Sequence, residues 1–170
     1  MKKIIGLLLI TLIFTSCQNQ KIGYVDNVNV INGIKEKIDL EKKYETKESA
    51  FKLRTDSIGK AFQLEAQKTQ LDAQKMSKSK ATAKFEALGK KQKMLQEQLQ
   101  FEQQQLAQGF QKEMDTIIEK VKTFVKDYGK TNGFDLILGT VDASPSVMFA
   151  KDQYDLSEKV INAMDADYNK

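Results

Sequence analysis

The sequence contains no histidine, no tryptophan, one cysteine and one proline in 170 residues. Without histidine, the chain has no His–Cys metal cluster, no Ser–His–Asp triad and no Cys–His nucleophile pair. The acidic residues, which are formally able to act in catalysis, are spread along predicted helices. We therefore expect that the protein is not an enzyme and that it binds neither a metal nor a cofactor.

The longest periodic segment runs from Leu88 to Tyr128. Its apolar residues alternate in steps of seven and four from Leu95 onward, and good helix formers lie between them. This eleven-residue repeat predicts one narrow apolar stripe on a long helix. It favours a nearly straight or slightly right-handed pairing with a second helix. The stripe comprises Leu88, Leu95, Leu99, Leu106, Phe110, Ile117, Val121 and Tyr128.

The partner helix is predicted from Ile34 to about Met76. One face carries Leu40, Tyr44, Phe51, Ile58 and Phe62. The cluster of Ser and Thr between Ser77 and Thr82 predicts the reversal between the two helices, and Gly89 is the alternative hinge. Gly129 is the predicted stop of the second helix.

The flanking segments predict a small body that contains β-strands. Strands are predicted at Lys21–Asp26, Phe134–Leu138 and Ser146–Ala150. Asn27 is a predicted cap for a short helix that ends at Asn32-Gly33. A capping box from Asp155 to Glu158 opens a last helix, whose core face is Leu156, Val160, Ile161 and Met164. This body is too small to be stable alone, so we expect an oligomer.

The first residues are typical of a secretory signal. Lys2 and Lys3 precede a short apolar run, and Phe14-Thr15-Ser16-Cys17 resembles a bacterial lipobox, although Phe replaces the usual Leu. Cys17 is the predicted lipidation site, because no second cysteine is present to form a disulfide with it. The absence of Asp after it, at Gln18, favours the outer membrane by resemblance to lipoprotein sorting rules. An ordinary secreted protein with a chance cysteine is the alternative.

The sequence therefore divides into five segments. They are a lipoprotein signal peptide (1–16), the lipidated cysteine and linker (17–20), a body strand with a short helix (21–33), a helical hairpin arm (34–129, with its tip near 77–90), and body strands with a C-terminal helix (130–170). The predicted fold class is α+β and mostly α, with a long antiparallel helical hairpin on a small body.

Two groups of side chains on the arm are candidates for binding. Apolar residues off the main stripes are Leu53, Leu64, Leu71, Met94 and Phe101. Lysines near the tip are Lys75, Lys78, Lys80, Lys84, Lys90, Lys91 and Lys93. The apolar group is typical either of a surface that binds something apolar or of packing against a neighbouring helix or subunit. The lysines would attract acidic segments or anionic headgroups, or they form a solvated helix face.

The ends of the chain resemble the Skp/OmpH family of periplasmic chaperones for outer-membrane proteins. The matching stretches are Lys21–Asp26, Phe134–Leu138, Val147–Ala150 and Tyr154–Ile161. The resemblance implies a jellyfish-like homotrimer in which three arms enclose a cavity. It also implies that the cavity holds unfolded β-barrel precursors without ATP. Two departures are the predicted lipid anchor and a basic excess that is confined to the far half of the arm.

Two other functions are compatible with parts of this pattern. A membrane-tethered structural or adaptor coiled coil shares the anchor and the hairpin but would not protect unfolded proteins. Nucleic-acid binding through the basic tip has little support, because Arg54 is the single arginine and few aromatic residues lie among the lysines. We expect no nucleic-acid partner.

Overall fold

The computed structural model describes residues 20–169. The predicted signal peptide and Cys17 lie outside the described residues. The elements are β1 (Ile22–Asp26), α1 (Asn27–Gly33), α2 (Lys35–Ala73), α3 (Lys78–Thr131), β2 (Leu136–Thr140), a 3-10 helix (Asp152–Tyr154) and α4 (Ser157–Tyr168). The predicted α+β fold with mostly helical content is confirmed. Across residues 20–169, no helix combines the length and hydrophobicity needed to span a bilayer.

The chain divides into two compact units. We call residues 35–119 the arm, and the described residues of 1–34 and 120–170 the body. Helix α3 contributes to both units, since its residues up to Glu119 belong to the arm and the rest to the body.

The sheet of the body pairs β1 with β2 in parallel, although the whole arm separates them in sequence. The register runs from Ile22 opposite Leu136 to Asp26 opposite Thr140. Strand β2 starts two residues later than predicted. Just before it, the Asp135 carboxylate accepts a hydrogen bond from the Lys21 backbone N–H at 2.7 Å. Within the described chain β2 has one neighbouring strand, so its second edge is unpaired.

The predicted strand at Ser146–Ala150 is wrong. This segment is irregular in the described chain, and the side chains of Met148 and Phe149 are each 86% exposed. A strand needs a neighbour that satisfies its backbone groups, and no other segment of the described chain pairs with this one. The β-forming composition of this segment does not by itself supply a partner strand.

The ends of the short helix and of α3 differ from the predicted ones. Asp26, not Asn27, caps α1, since its carboxylate accepts from the N–H groups of Val28 and Asn29 at 2.8 and 3.0 Å. Helix α3 passes through Gly129 and ends at Thr131. Gly133 is the true stop: its φ of 67° is left-handed. The N–H of Gly133 donates to the Lys130 carbonyl at 3.3 Å, and the N–H of Phe134 donates to the Gly129 carbonyl at 2.9 Å. These two hydrogen bonds form a Schellman motif.

The predicted core face of α4 is confirmed. Leu156, Val160, Ile161 and Met164 are all buried, and Val30 and Ile34 are among the other buried residues of the body. The predicted capping box is wrong. The Asp155 carboxylate accepts from the N–H and the hydroxyl of Ser157, at 2.8 and 2.6 Å, rather than from residues one turn further on. The Ser157 hydroxyl in turn accepts from the N–H of Asp26 at 2.9 Å, which links α4 to β1.

The reversal between α2 and α3 lies at residues 74–77, at the N-terminal limit of the predicted tip. Ser77 precedes α3, and its carbonyl accepts the N–H of Ala81 at 3.0 Å. Most of the predicted turn is therefore helical, and so is the alternative hinge, Gly89. The hydroxyl of Thr82 donates to the Lys78 carbonyl at 3.0 Å, so this side chain bonds within the helix instead of ending it.

Candidate binding surface on the helical arm

The two arm helices pack through the predicted apolar stripes. Leu40, Tyr44 and Ile117 are buried, and the other stripe residues of the arm are half-buried. The rings of Tyr44 and Phe110 meet edge to face, with centroids 5.3 Å apart. Both predicted core faces within the arm are therefore confirmed. The half-buried character along the rest of the stripes is expected for two helices that cover each other on one side each.

A polar cluster surrounds the buried Tyr44. The Glu113 carboxylate accepts hydrogen bonds from the Lys43 ammonium at 2.6 Å and from the Tyr44 hydroxyl at 2.9 Å. These two donors hold the pKa of the Glu113 carboxyl below its usual value. The bond to Glu113 raises the pKa of Lys43, while burial and then Glu113 raise the pKa of the Tyr44 hydroxyl. The carboxylate is thus ionised at neutral pH and ties the two helices together.

Cross-helix ion pairs run along the arm in one register. The residue numbers of the two partners have the same sum in every pair, so α2 and α3 are antiparallel with no slip along this length. The α2 members follow one another at steps of eleven, eleven and seven, which matches the apolar repeat. The pairs are Lys43–Glu113 at 2.6 Å, Arg54–Glu102, Glu65–Lys91 and Asp72–Lys84 at 3.7 Å.

The polarity of these pairs reverses halfway along the arm. Toward one end α2 supplies the cation, at Lys43 and Arg54, and toward the turn it supplies the anion. An eleven-residue repeat would tolerate a slip of eleven residues. Because of the reversal, such a slip sets Arg54 against Lys91 in one direction and Glu65 against Glu102 in the other. Like charges repel at these distances, so the reversal favours one position for the turn.

Five apolar side chains of the arm point away from the helix interface. Steps of eleven and seven residues place the three leucines on one outward face of α2, and a step of seven places the other two on the outward face of α3. Their exposed fractions are 72% for Leu53, 67% for Leu64, 62% for Leu71, 64% for Met94 and 59% for Phe101. Packing within the arm therefore leaves every one of these predicted residues largely in solvent.

The seven predicted lysines separate into two groups. Lys84 and Lys91 belong to the cross-helix pairs, and Lys93 contacts Glu97 on the same helix at 3.8 Å. The remaining four, which are exposed and form no ion pair within residues 20–169, are Lys75, Lys78, Lys80 and Lys90. The turn at 74–77 brings three of these four to the same end of the arm.

One exposed aromatic residue of the arm was missed by the sequence analysis. Phe85 is 46% exposed and lies off the seven-and-four stripe, three residues before Leu88. The sequence signal was an apolar residue three positions before Leu88, which a helix places beside the stripe rather than on it. Ile38, at 49% exposure, is a second case. Within residues 20–169, no group of three acidic or cysteine side chains is arranged to hold a metal ion.

Comparisons with known proteins identify the family from the sequence and a similar fold from the structure. The sequence profile of the family described as outer membrane protein (OmpH-like) matches residues 21–164. The structure is similar to that of an OmpH-like protein from Caulobacter crescentus CB15, provisionally described as an outer membrane chaperone, with a TM-score of 0.77 and 15% sequence identity. That match covers 87% of this chain and 85% of the other. No curated protein matches the chain significantly in sequence. Since the family profile spans most of its length, the chain belongs to the OmpH-like family.

Proposed function

We propose that this protein is a periplasmic chaperone that holds unfolded outer-membrane β-barrel proteins without ATP. Clients are bound between the helical arms of a homotrimer. Cys17 carries a lipid anchor that fixes the protein to the outer membrane, with its folded part in the periplasm. Membership of the OmpH-like family supports a chaperone role, and the chemistry of the arm supports its extension to holding unfolded chains.

The observation that carries the proposal is the set of five outward apolar side chains on the arm. Each is more than half exposed. A surface of this kind offers many weak apolar contacts rather than one deep pocket. An unfolded β-barrel precursor presents alternating apolar residues over a long length, so many weak contacts would hold it without fixing one conformation.

The unpaired lysines at the turn supply a second contribution. Ammonium groups that no carboxylate of residues 20–169 neutralises attract acidic client segments, and ions in solution screen this attraction over about 8 Å at physiological salt. We therefore expect that the contribution of the lysines to client binding decreases as the salt concentration rises. The contribution of the apolar residues is expected to be insensitive to salt.

Features of the body support assembly into an oligomer. Within the described residues the second edge of β2 is unpaired, and an unpaired edge is a template for another strand. Beside it lies a groove of about 440 Å³ whose lining includes Val25, Val125 and Ile137. Met148 and Phe149, each 86% exposed, are further apolar groups that an assembly would cover. A homotrimer is the assembly that the family resemblance implies.

A membrane-tethered structural or adaptor coiled coil is the competing function. The cross-helix ion pairs are compatible with this alternative, because they would stiffen an arm that acts as a spacer. It does not require the outward leucines, however, since a spacer gains nothing from apolar groups in solvent. The two functions therefore differ in whether these side chains matter for activity.

Light scattering tests the proposal. A urea-unfolded outer-membrane β-barrel protein is diluted into buffer with the chain from residue 18 onward, without nucleotide. We expect suppression of aggregation to saturate near three chains per client. Replacing Leu53, Leu64 and Leu71 by serine should weaken suppression, whereas replacing the exposed Gln63, Gln67 and Gln70 of the same helix should not. Equal activity of the two triple variants, or no suppression by the unaltered chain, would overturn the proposal.

The charge contribution has its own test. Replacing Lys75, Lys78 and Lys80 by glutamate should weaken suppression at low salt and have little effect at high salt. The control replaces the same three residues by arginine, which keeps the charge. Unchanged suppression by the glutamate variant at low salt would remove the lysines from the proposal and leave the apolar contacts.

A further inference from the structure

The outward faces of the two arm helices carry complementary patterns. Each face has two apolar residues with a charged residue between them, and the charge is positive on α2 and negative on α3. Along α2 the charged residue follows the first apolar residue by four positions and precedes the second by three. The spacing is the same along α3 when that helix is followed from its C-terminal end. The α2 series is Leu64, Lys68 and Leu71, and the α3 series is Phe101, Glu97 and Met94.

This match is between faces that cannot meet within one arm. Lys68 and Glu97 lie on opposite outward sides of the hairpin. In the register of the cross-helix ion pairs, Lys68 lies level with Leu88, so Glu97 is nine residues, or about 13 Å, further along α3. Lys68 forms no ion pair within the described residues, and Glu97 contacts Lys93 of its own helix at 3.8 Å. The complementarity therefore has no use inside a single arm.

A ring of arms would bring these two faces together. When hairpins of identical chains stand around one axis, the free side of α3 in one copy faces the free side of α2 in the next. Those two helices are antiparallel, because α2 and α3 are antiparallel within each hairpin. The contact is head to tail around the ring and closes on itself. The nine-residue offset requires that neighbouring arms cross obliquely.

We propose that, in the client-free assembly, the outward face of α2 in one copy packs against the outward face of α3 in the next. Leu64 contacts Phe101, Leu71 contacts Met94, and Lys68 shares the Glu97 carboxylate with Lys93 of that copy. The arms thereby cover the apolar surface that a client would otherwise occupy. This proposal rests on the proposed function for the assembly and for the role of that surface.

The small size of the contact is consistent with weak, reversible packing between neighbouring arms. Three side chains on each copy fall far short of the roughly 800 Å² per partner in a standard stable interface. Two free arms would therefore not pair in dilute solution. Arms that a common body holds together meet at an effective concentration on the order of millimolar, where a weak contact is occupied. A client that offers more apolar contacts displaces it.

Disulfide trapping tests the contact. The chain from residue 18 onward has no cysteine, so Lys68→Cys and Glu97→Cys can be introduced together as its two thiols. A disulfide requires Cα atoms within about 7 Å, which excludes a bond within one arm. The control pairs Lys60→Cys with Glu97→Cys. Lys60 lies on the same face of α2 as Lys68, about 12 Å from it along the helix. Both variants are oxidised mildly and run on non-reducing gels.

We expect covalent dimers and higher rings from the Lys68–Glu97 pair at least ten times faster than from the control pair. An unfolded β-barrel protein should slow the trapping. Equal rates for the two pairs, or no inter-chain product, would overturn the contact. Trapping that a bound client leaves unchanged would overturn its role as a cover. If trapping succeeds but the unaltered chain does not suppress aggregation, the arm contact stands and the proposed chaperone function fails.

Discussion

Three glycines of the arm helices lead to one quantitative prediction about Tyr44. A Cβ atom added at Gly59 or Gly89 would have no neighbour within 4 Å, whereas at Gly109 it would lie 2.6 Å from the Tyr44 hydroxyl. Replacing glycine by alanine inside a helix gains about 1 kcal/mol of stability. We therefore expect Gly59→Ala and Gly89→Ala each to raise the free energy of unfolding by about 0.5–1 kcal/mol.

Gly109→Ala should instead lower the free energy of unfolding. The buried Tyr44 ring packs against Phe110 and its hydroxyl bonds to Glu113, so it cannot move without losing one of these contacts. Admitting an extra methyl group against a packed side chain costs about 1–3 kcal/mol. After the gain in helix propensity is subtracted, about 1 kcal/mol of destabilisation is left.

Urea denaturation followed by circular dichroism at 222 nm measures these differences. The matched control is Gly109→Ala in a Tyr44→Phe background, where the blocking hydroxyl is absent and the next ring carbon lies 3.6 Å from the new Cβ. In that background the alanine should stabilise, as it does at Gly59. The reasoning is refuted if Gly109→Ala stabilises the otherwise unaltered chain as much as Gly89→Ala does.

Three further predictions concern the ion pairs and the end of α3. Arg54→Glu should destabilise the chain by about 0.5–1 kcal/mol at low salt, and adding Glu102→Arg should restore most of the lost stability. If a double-mutant cycle shows no coupling between the two positions, the ion pair is excluded. The pKa of Glu113 is lowered in the folded state, so its contribution to stability is present above the ordinary value of 4.5 and is lost as the pH falls below it. Glu113→Gln should therefore flatten the acid limb of the unfolding profile, and an unchanged acid limb would contradict this assignment. Gly133→Ala should cost about 1 kcal/mol in urea denaturation, because φ is 67° there, and a stabilising alanine would rule out the left-handed stop.

The parts of the fold that the sequence predicted are those that local periodicity determines. The apolar stripe of α3 is read from spacing alone, since a side chain at a fixed helical angle is buried whatever the distant partner is. The core face of α4 follows in the same way. The outward leucines were likewise identified by their position opposite the stripe, and their exposure in the structure agrees with that placement.

The errors lie where two distant segments decide the outcome. Composition alone favours a strand around Phe149, but no neighbouring strand pairs with it in the described chain. Gly129 and Gly133 are both reasonable helix stops by sequence, and the left-handed backbone that ends the helix is found at Gly133. The position of the turn was predicted from Ser77 and the residues after it. The charge pairs across the arm share a register whose midpoint is Lys78, the first residue of α3, directly after the observed turn.

Site-specific photocrosslinking tests the central claim most directly. A photoreactive amino acid is placed at Leu64 on the outward face of the arm, or at the exposed Gln153 of the body, and each protein is irradiated with an unfolded outer-membrane β-barrel protein. The account predicts a client adduct at Leu64 and little or none at Gln153. Equal adducts at both positions, or none at Leu64 while the client is kept soluble, would contradict the claim that the outward apolar face of the arm holds clients.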